Sequence, residues 1–395
     1  MKARWQWKPL GVVCKTGSGG TPLKDRKEFY EGGTIPWLMS GEVSQGEVRE
    51  ATRFITSKGL ENSAAKVFPK DTVLVAMYGA TAGQVGILRF EAATNQAVCG
   101  IYPNNQFVPE FLFYFLLSRK DELVAQATGN AQPNISQIKI KNTEVPILPL
   151  SEQHRIVGIL DDAFDGIATA KATAEQNLQN ARALFESHLQ SVFTQRGEGW
   201  IDRQLASLCH EITVGHVGSM KTEYKASGIP FLRSQNIRPF EVSMDNVMFI
   251  DAKFHHALKK SRLRPGDLAI VRTGYPGTAA VIPPELPDSN CSDLVIVRPG
   301  DEVNPHFLAA FFNSAFGKQL VLGKIVGAAQ KHFNVTAAKE VMLHVPPINE
   351  QKNIIQMIDS FRAETQRLES LYQRKLAALD ELKQSLLHQA FSGAL

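Results

Sequence analysis

The sequence predicts an α/β (α+β) protein: two similar mixed domains and two long α-helices that pack against each other. Three observations predict it. The chain repeats itself once, each copy carries short strand-like runs, and each copy closes on a long proline-free segment. The period is about 195 residues in a chain of 395. Trp5, Leu10 and Cys14 return as Trp200, Leu205 and Cys209. Ile35-Pro36-Trp37-Leu38-Met39-Ser40 returns as Ile229-Pro230-Phe231-Leu232-Arg233-Ser234, and Pro149-Leu150-Ser151-Glu152-Gln153 as Pro347-Ile348-Asn349-Glu350-Gln351. Solenoid repeats run about 20–50 residues, so a repeat of this size is a whole domain.

The elements follow in order. Residues 1–149 form the first domain. Thr72–Val75 and Gln84–Leu88 are apolar runs bounded by Gly, Pro and Asp, the strand signature. The run Glu110–Leu117 reads as a buried helix. Residues 150–196 are a first long helix and residues 197–347 repeat the plan. There Leu268–Val271 and Asp293–Val297 are strands, and the alanine-rich Phe307–Phe312 is a helix. Residues 348–395 are a second long helix.

Both long segments lack proline, and the second also lacks glycine between Glu350 and Phe391. In the second, Ile354, Ile358, Phe361, Thr365, Leu368, Tyr372, Leu376, Leu379, Leu382 and Leu386 fall mostly at alternating spacings of four and three, the seam of a coiled coil. The first carries Ile156, Leu160, Ile167, Leu178 and Phe185 on a like stripe, interleaved with alanines that let helix axes approach. Ser151 and Asn349 are the expected N-caps, each followed by a first-turn Glu. Each helix would be roughly 60 Å long at about 1.5 Å per residue. Such a length suits a spacer between domains better than a core helix.

Composition narrows the class without naming a function. No run approaches 18 consecutive apolar residues, and no apolar stretch follows the basic start Met1–Trp7, which argues against a membrane span or secretory signal. Cys14, Cys99, Cys209 and Cys291 show no CxxC spacing and read as buried thiols in a cytoplasmic protein. A net charge of +4 is too mild to establish nucleic-acid binding.

Catalytic constellations fail one by one. Gly17–Pro22 is glycine-rich but lacks a phosphate loop's lysine, and Gly79–Gly83 reads as a turn after a strand. Pro283-Pro284 and Pro346-Pro347 do not lie in the Asp/Asn-Pro-Pro-aromatic setting with which amino-methyltransferases hold adenine. His210, His216, His255 and His256 lack metal-site spacing.

What remains are polar residues at equivalent loop positions of the two halves, different in kind. In the first half these are Ser40, Glu42, Tyr78, Thr81, Asn130, Gln132 and Asn134. In the second they are Arg233, Ser234, Gln235, Asn236, Arg272, Thr273, Tyr275, Gln330, Lys331, His332 and Asn334. Arg suits guanine, Asn and Gln suit adenine, Glu accepts from cytosine, and Tyr can stack. Singly, each reads better as a solvated loop residue or turn cap. As a set at duplicated positions they point to DNA readout.

The order of these motifs resembles the specificity (S) subunits of Type I restriction–modification systems, the HsdS family, along essentially the whole chain. The marks are Gly19-Gly20-Thr21-Pro22, Gly33–Trp37, Pro69–Val75 leading to Gly79–Gly83, Asn95-Gln96, Gly129–Gln132 and Pro149–Gln153. Arg264–Leu268, Gly327–Gln330 and Pro346–Gln351 echo them. The second half departs at Gly215–Ser219, where no Gly-Gly-Thr-Pro stands, and a differently shaped loop is expected there. The resemblance implies two target recognition domains joined by helices in an antiparallel coiled coil. It also implies a bipartite site on double-stranded DNA, two methylation (M) subunits that methylate adenine N6, and restriction (R) subunits reached through them. S-adenosylmethionine, ATP and Mg²⁺ would belong to the partners; this chain would be non-catalytic and hold no cofactor or metal. A coiled-coil scaffold with duplicated protein-binding domains, a methyltransferase or nuclease acting alone, and an inactive or partnerless specificity subunit are the alternatives.

Overall fold

The computed structural model describes residues 5–126, 134–195, 197–323 and 332–395. The chain forms two compact units, Met1–Ala174 with Lys375–Leu395, and Glu175–Arg374.

In the first unit a five-stranded sheet runs in the order Thr16–Ser18, Val98–Ile101, Val73–Ala76, Val85–Leu88, Glu47–Val48. A four-stranded sheet places Phe54–Ile55, Ile35–Leu38, Ala92–Thr94 and Val67–Phe68 side by side, with a parallel pairing of Trp37 to Ala93. Val73–Ala76 is buried throughout because both faces of its sheet are covered. Side chains alternate across a strand, so Val73 and Val75 enter one core while Leu74 and Ala76 enter another. The first of these cores holds Phe111, Leu112, Phe115 and Leu116 from the helix Pro109–Ser118.

The second unit repeats this with a sheet ordered Cys209–Val214, Leu294–Pro299, Leu268–Val271, Ala279–Val281. Leu268 and Ile270 enter one core and Ala269 and Val271 the other. The former is built on Phe307–Phe312 of the helix Pro305–Asn313. The second strand begins at Leu294, one residue later than the sequence suggests, because Asp293 adopts φ +57°.

The long helices span Leu150–Thr194 and Ile348–Phe391. They start one residue before the expected caps. Ser151 and Asn349 lie inside the first turn, and the carbonyls of Pro149 and Pro347 accept the first helical N–H groups, from Glu152 and Gln153 and from Glu350 and Gln351. Proline suits this place because its missing N–H is not needed there. Gln153 and Gln351 are fully buried and matched bond for bond. Gln153 accepts from Val108 N–H at 2.8 Å and donates to Gln106 O and Leu148 O. Gln351 accepts from Asn304 N–H at 2.8 Å and donates to Glu302 O and Pro346 O. Each glutamine thus ties a long helix to the loop leading into its unit's phenylalanine-rich helix.

Each unit contains a stretch of both long helices, paired antiparallel. In the first, Lys171 meets Asp380 at 2.7 Å and Lys383 lies over the Phe164 ring. In the second, Arg182 meets Glu369 at 3.1 Å and Phe185 stacks near Phe361. Ile156, Leu160, Ile167 and Ile358 are buried; Leu178, Phe185, Ile354, Phe361, Leu368, Tyr372, Leu379 and Leu386 are half-buried. Leu184 and Leu382 instead point outward at 58% and 47% exposure. Each helix ends in the core of a unit other than the one in which it begins. Phe391 stands edge-on to Phe111 and Phe115 in the first unit, and Phe193 to Phe307 and Phe311 in the second.

Candidate nucleic-acid interface

Three backbone hydrogen bonds, repeated in both units, tie strand ends and loops together. In the first unit Asn95 N–H donates to Leu38 O, Met77 N–H to Ala97 O, and Ile135 N–H to Met77 O. In the second, Ser292 donates to Leu232 O, Arg272 to Asp293 O, and Phe333 to Arg272 O. These bonds tie together the loops that carry Ser40, Tyr78 and Asn134 in the first unit and Arg233, Ser234, Arg272 and Thr273 in the second.

In the first unit Tyr78 is 38% exposed and bridges to the exposed Asn134. Thr81 Oγ1 donates to Tyr78 O at 3.3 Å, and Ser40 opens the 3₁₀ turn Ser40–Gln45, which packs against Gly79–Thr81. Glu42 does not reach outward as a cytosine reader would. Its carboxylate accepts from Met39 N–H and from the backbone and hydroxyl of Thr52, holding the turn. Asn130 and Gln132 lie outside the described residues.

In the second unit Arg233 Nη2 and Gln235 Nε2 both donate to Asn246 O, at 3.1 and 3.4 Å. Ser234 and Thr273 hydroxyls both donate to the Asp293 carboxylate. Arg272 Nε donates to Phe333 O at 3.3 Å, beside His332, and Tyr275 stands 84% exposed. One assignment is corrected. Asn236 is fully buried: its Oδ1 accepts from Arg233 N–H and its Nδ2 donates to Ser243 O and Asp245 O, so no group is left for a base. It is the counterpart of Glu42. Asn334 caps the helix Val335–Lys339, accepting from Ala337 N–H at 2.8 Å, as Ser136 caps Gln137–Lys141. Gln330 and Lys331 lie outside the described residues.

Sequence reasoning missed Asp293, which ties two turns together from a left-handed backbone position; its counterpart is Ala97. A polar residue just before an apolar run was the available signal.

The Gly-Gly-Thr-Pro loop differs less than expected. Gly19 and Gly215 donate to the equivalent carbonyls of Val98 and Leu294, and Gly20 and His216 to those of Thr94 and Cys291. The backbone path at these two residues is therefore shared. A Cβ on Gly20 would stand 2.2 Å from Ala65 N, whereas the His216 ring has room edge-on to Phe254 at 5.5 Å. His255 is buried against Asn290, and His256 Nδ1 lies 2.7 Å from Ala252 O. Among the described residues no three His, Cys, Asp or Glu side chains form a metal-binding group. Burial pushes the Cys99 and Cys209 thiols up to about 12, so they stay protonated. No helix among the described residues is long and apolar enough to cross a membrane.

The Type I restriction modification DNA specificity domain matches residues 2–180 and again 200–376. The EcoKI specificity subunit of Escherichia coli K12 is 22% identical over 419 aligned residues, covering 99% of this chain and 89% of that subunit. The EcoR124I/EcoR124II specificity subunit of Escherichia coli is 27% identical over 170 residues, a match spanning 42% of each chain and so less than half of the relative. A chain from a structure of complex assembly and conformational transition in a type I R-M system superposes with a TM-score of 0.82 at 20% identity, covering 100% of this chain and 99% of that one. The HsdS subunit of Thermoanaerobacter tengcongensis superposes with a TM-score of 0.64 at 19% identity, covering 100% and 98%. At such identities the likeness concerns the fold.

Proposed function

The chain belongs to the Type I restriction modification DNA specificity family, and from that premise we propose that it reads a bipartite site on double-stranded DNA, one half-site per unit. The observation that carries this is the pair of loop clusters held by identical backbone bonds yet lined by different polar side chains. One scaffold used twice with different side chains suits two different short sequences. Residues 1–149 would read one half-site and 197–347 the other. The helices over 150–196 and 348–395 would set the spacer, since half-site spacing follows the separation of reading elements, about 34–36 Å per DNA turn.

On this reading the chain is a non-catalytic cytoplasmic subunit. It positions two methylation subunits, which flip and methylate adenine at N6, and through them the restriction subunits. S-adenosylmethionine, ATP and Mg²⁺ would act on those partners.

The test is base-modification sequencing of DNA from cells given this chain with its neighbouring methylation subunit, against cells lacking this chain. N6-methyladenine at one split motif is expected. No new methylation despite a stable assembly overturns the reading in favour of a scaffold or an inactive subunit. Inserting about one helical turn near residue 196 is expected to lengthen the spacer and leave both half-sites unchanged; an unchanged spacer ends the ruler idea.

A further inference from the structure

The turn after Leu268–Val271 holds its tip rigidly. Gly274 and Gly277 adopt φ +80° and +90°, conformations that side-chain-bearing residues rarely take, and Pro276 between them has a fixed φ. Tyr275 N–H donates to Thr273 O at 3.1 Å, Tyr275 O accepts from Thr278 N–H at 3.2 Å, and Gly277 N–H reaches Val271 O at 3.1 Å. The Thr273 hydroxyl is pinned to Asp293. On this fixed backbone the Tyr275 ring is 84% exposed, more than any other large apolar side chain among the described residues. The matching turn of the first unit keeps the glycines, Gly79 and Gly83 at φ +73° and +80°, but its exposed tip is Ala80. Tyr78 there is 38% exposed and its backbone is bridged to Asn134.

A single exposed aromatic is ordinary on a surface. One held out by a hydrogen-bonded turn, beside Arg272 and Thr273, is placed to be covered. A phenol has one donor hydrogen and cannot make the bidentate pair that separates bases well, so the ring face is its larger asset. We propose that Tyr275 is a stacking wedge: its ring packs against an opened base step in the half-site read by the second unit. That half-site is then selected partly by how easily the step opens, whereas the first unit, with alanine at its tip, inserts no such ring. This rests on the DNA-reading function proposed above.

The test uses the full chain assembled with its methylation subunit, on duplexes carrying the methylated motif with 2-aminopurine placed at each position in turn. In the wild type, besides the adenine that each methylation subunit flips, one further step of the second half-site is expected to brighten. Tyr275→Phe is expected to keep both the signal and the affinity. Tyr275→Ala is expected to lose the signal and bind about 10- to 100-fold more weakly, as base–aromatic stacking is worth about 1–3 kcal/mol. Its fold is checked by an unchanged melt and assembly with the methylation subunit. Ala80→Tyr is expected to create a new signal in the first half-site. Tyr275→Phe falling as far as Tyr275→Ala overturns the wedge in favour of hydroxyl readout, and Tyr275→Ala binding like the wild type overturns it outright. If the wild-type assembly shows no salt-dependent duplex binding, the DNA reading itself falls, and the wedge with it.

Discussion

The two units agree in what holds them and differ in what they offer. Gln153 and Gln351 make the same three bonds, and the gathered loops share the same three backbone pairings. At the loop surface the likeness stops. Tyr78 stands where Thr273 does, Met77 where Arg272 does, Ala80 where Tyr275 does, and Ala97 where Asp293 does. Buried amides cannot change without leaving a polar group unpaired, while loop side chains can change at little cost to the fold. The shared bonds therefore mark the scaffold, and the differing loop side chains mark the surface on which the units part.

The largest expected effect breaks the symmetry by crossing it. Phe193→Ala and Phe391→Ala each remove a ring from a phenylalanine cluster and are expected to cost about 3–5 kcal/mol. The damage is expected in opposite places. Hydrogen exchange would find Phe391→Ala loosening 107–117 in the first unit and Phe193→Ala loosening 305–313 in the second. Loosening confined to the end of the mutated helix would contradict the shared cores.

A smaller and symmetric loss is expected from Gln153→Ala and Gln351→Ala. Each leaves a buried N–H and two carbonyls without partners, about 1–3 kcal/mol for such a group, and the two variants are expected to match within error in urea unfolding. Unequal losses would show that the glutamines are alike in geometry only.

The smallest effect sharpens the difference. In the first unit the hydrogen bond from Arg89 holds the Glu47 carboxyl below its usual range. That contribution is present above the ordinary carboxylate pKa and is lost as pH falls through the depressed value. In the second unit burial raises the Asp267 carboxyl, despite the Arg264 N–H and Arg298 beside it. Its contribution is fully present below the ordinary pKa and is lost as pH rises through the raised one. Mild acid should thus weaken the first unit through Glu47 and favour the second through Asp267. Unit-resolved urea melts of Glu47→Gln and Asp267→Asn, compared across pH 3–6, would each flatten one trend.

Much of this was legible in the sequence because it rests on periodicity. The duplication, the all-apolar strands and the helix seam are patterns of apolar residues, and apolar burial follows pattern. The candidate surface was legible only as a list. Asn236 and Asn334 were placed on it with Gln235 and Arg233 because residue type does not say whether an amide already serves a neighbouring backbone group. The role of Gln153 was hidden for the converse reason: glutamine is usually exposed, and only the turn before Pro109 reveals what it satisfies. Tyr275 could be placed at a tip because glycines bracket it, but its exposure needed the coordinates.

The ends of the long helices have a consequence for biosynthesis. The first unit takes Leu387, Ala390 and Phe391 into its core, whereas the second is the continuous stretch Glu175–Arg374. A ribosome makes the first unit's strands early but supplies these core residues only after the whole of the second unit. The domain begun first is completed after the second, so its apolar helix-facing surface must be kept from other chains until Phe391 has been made.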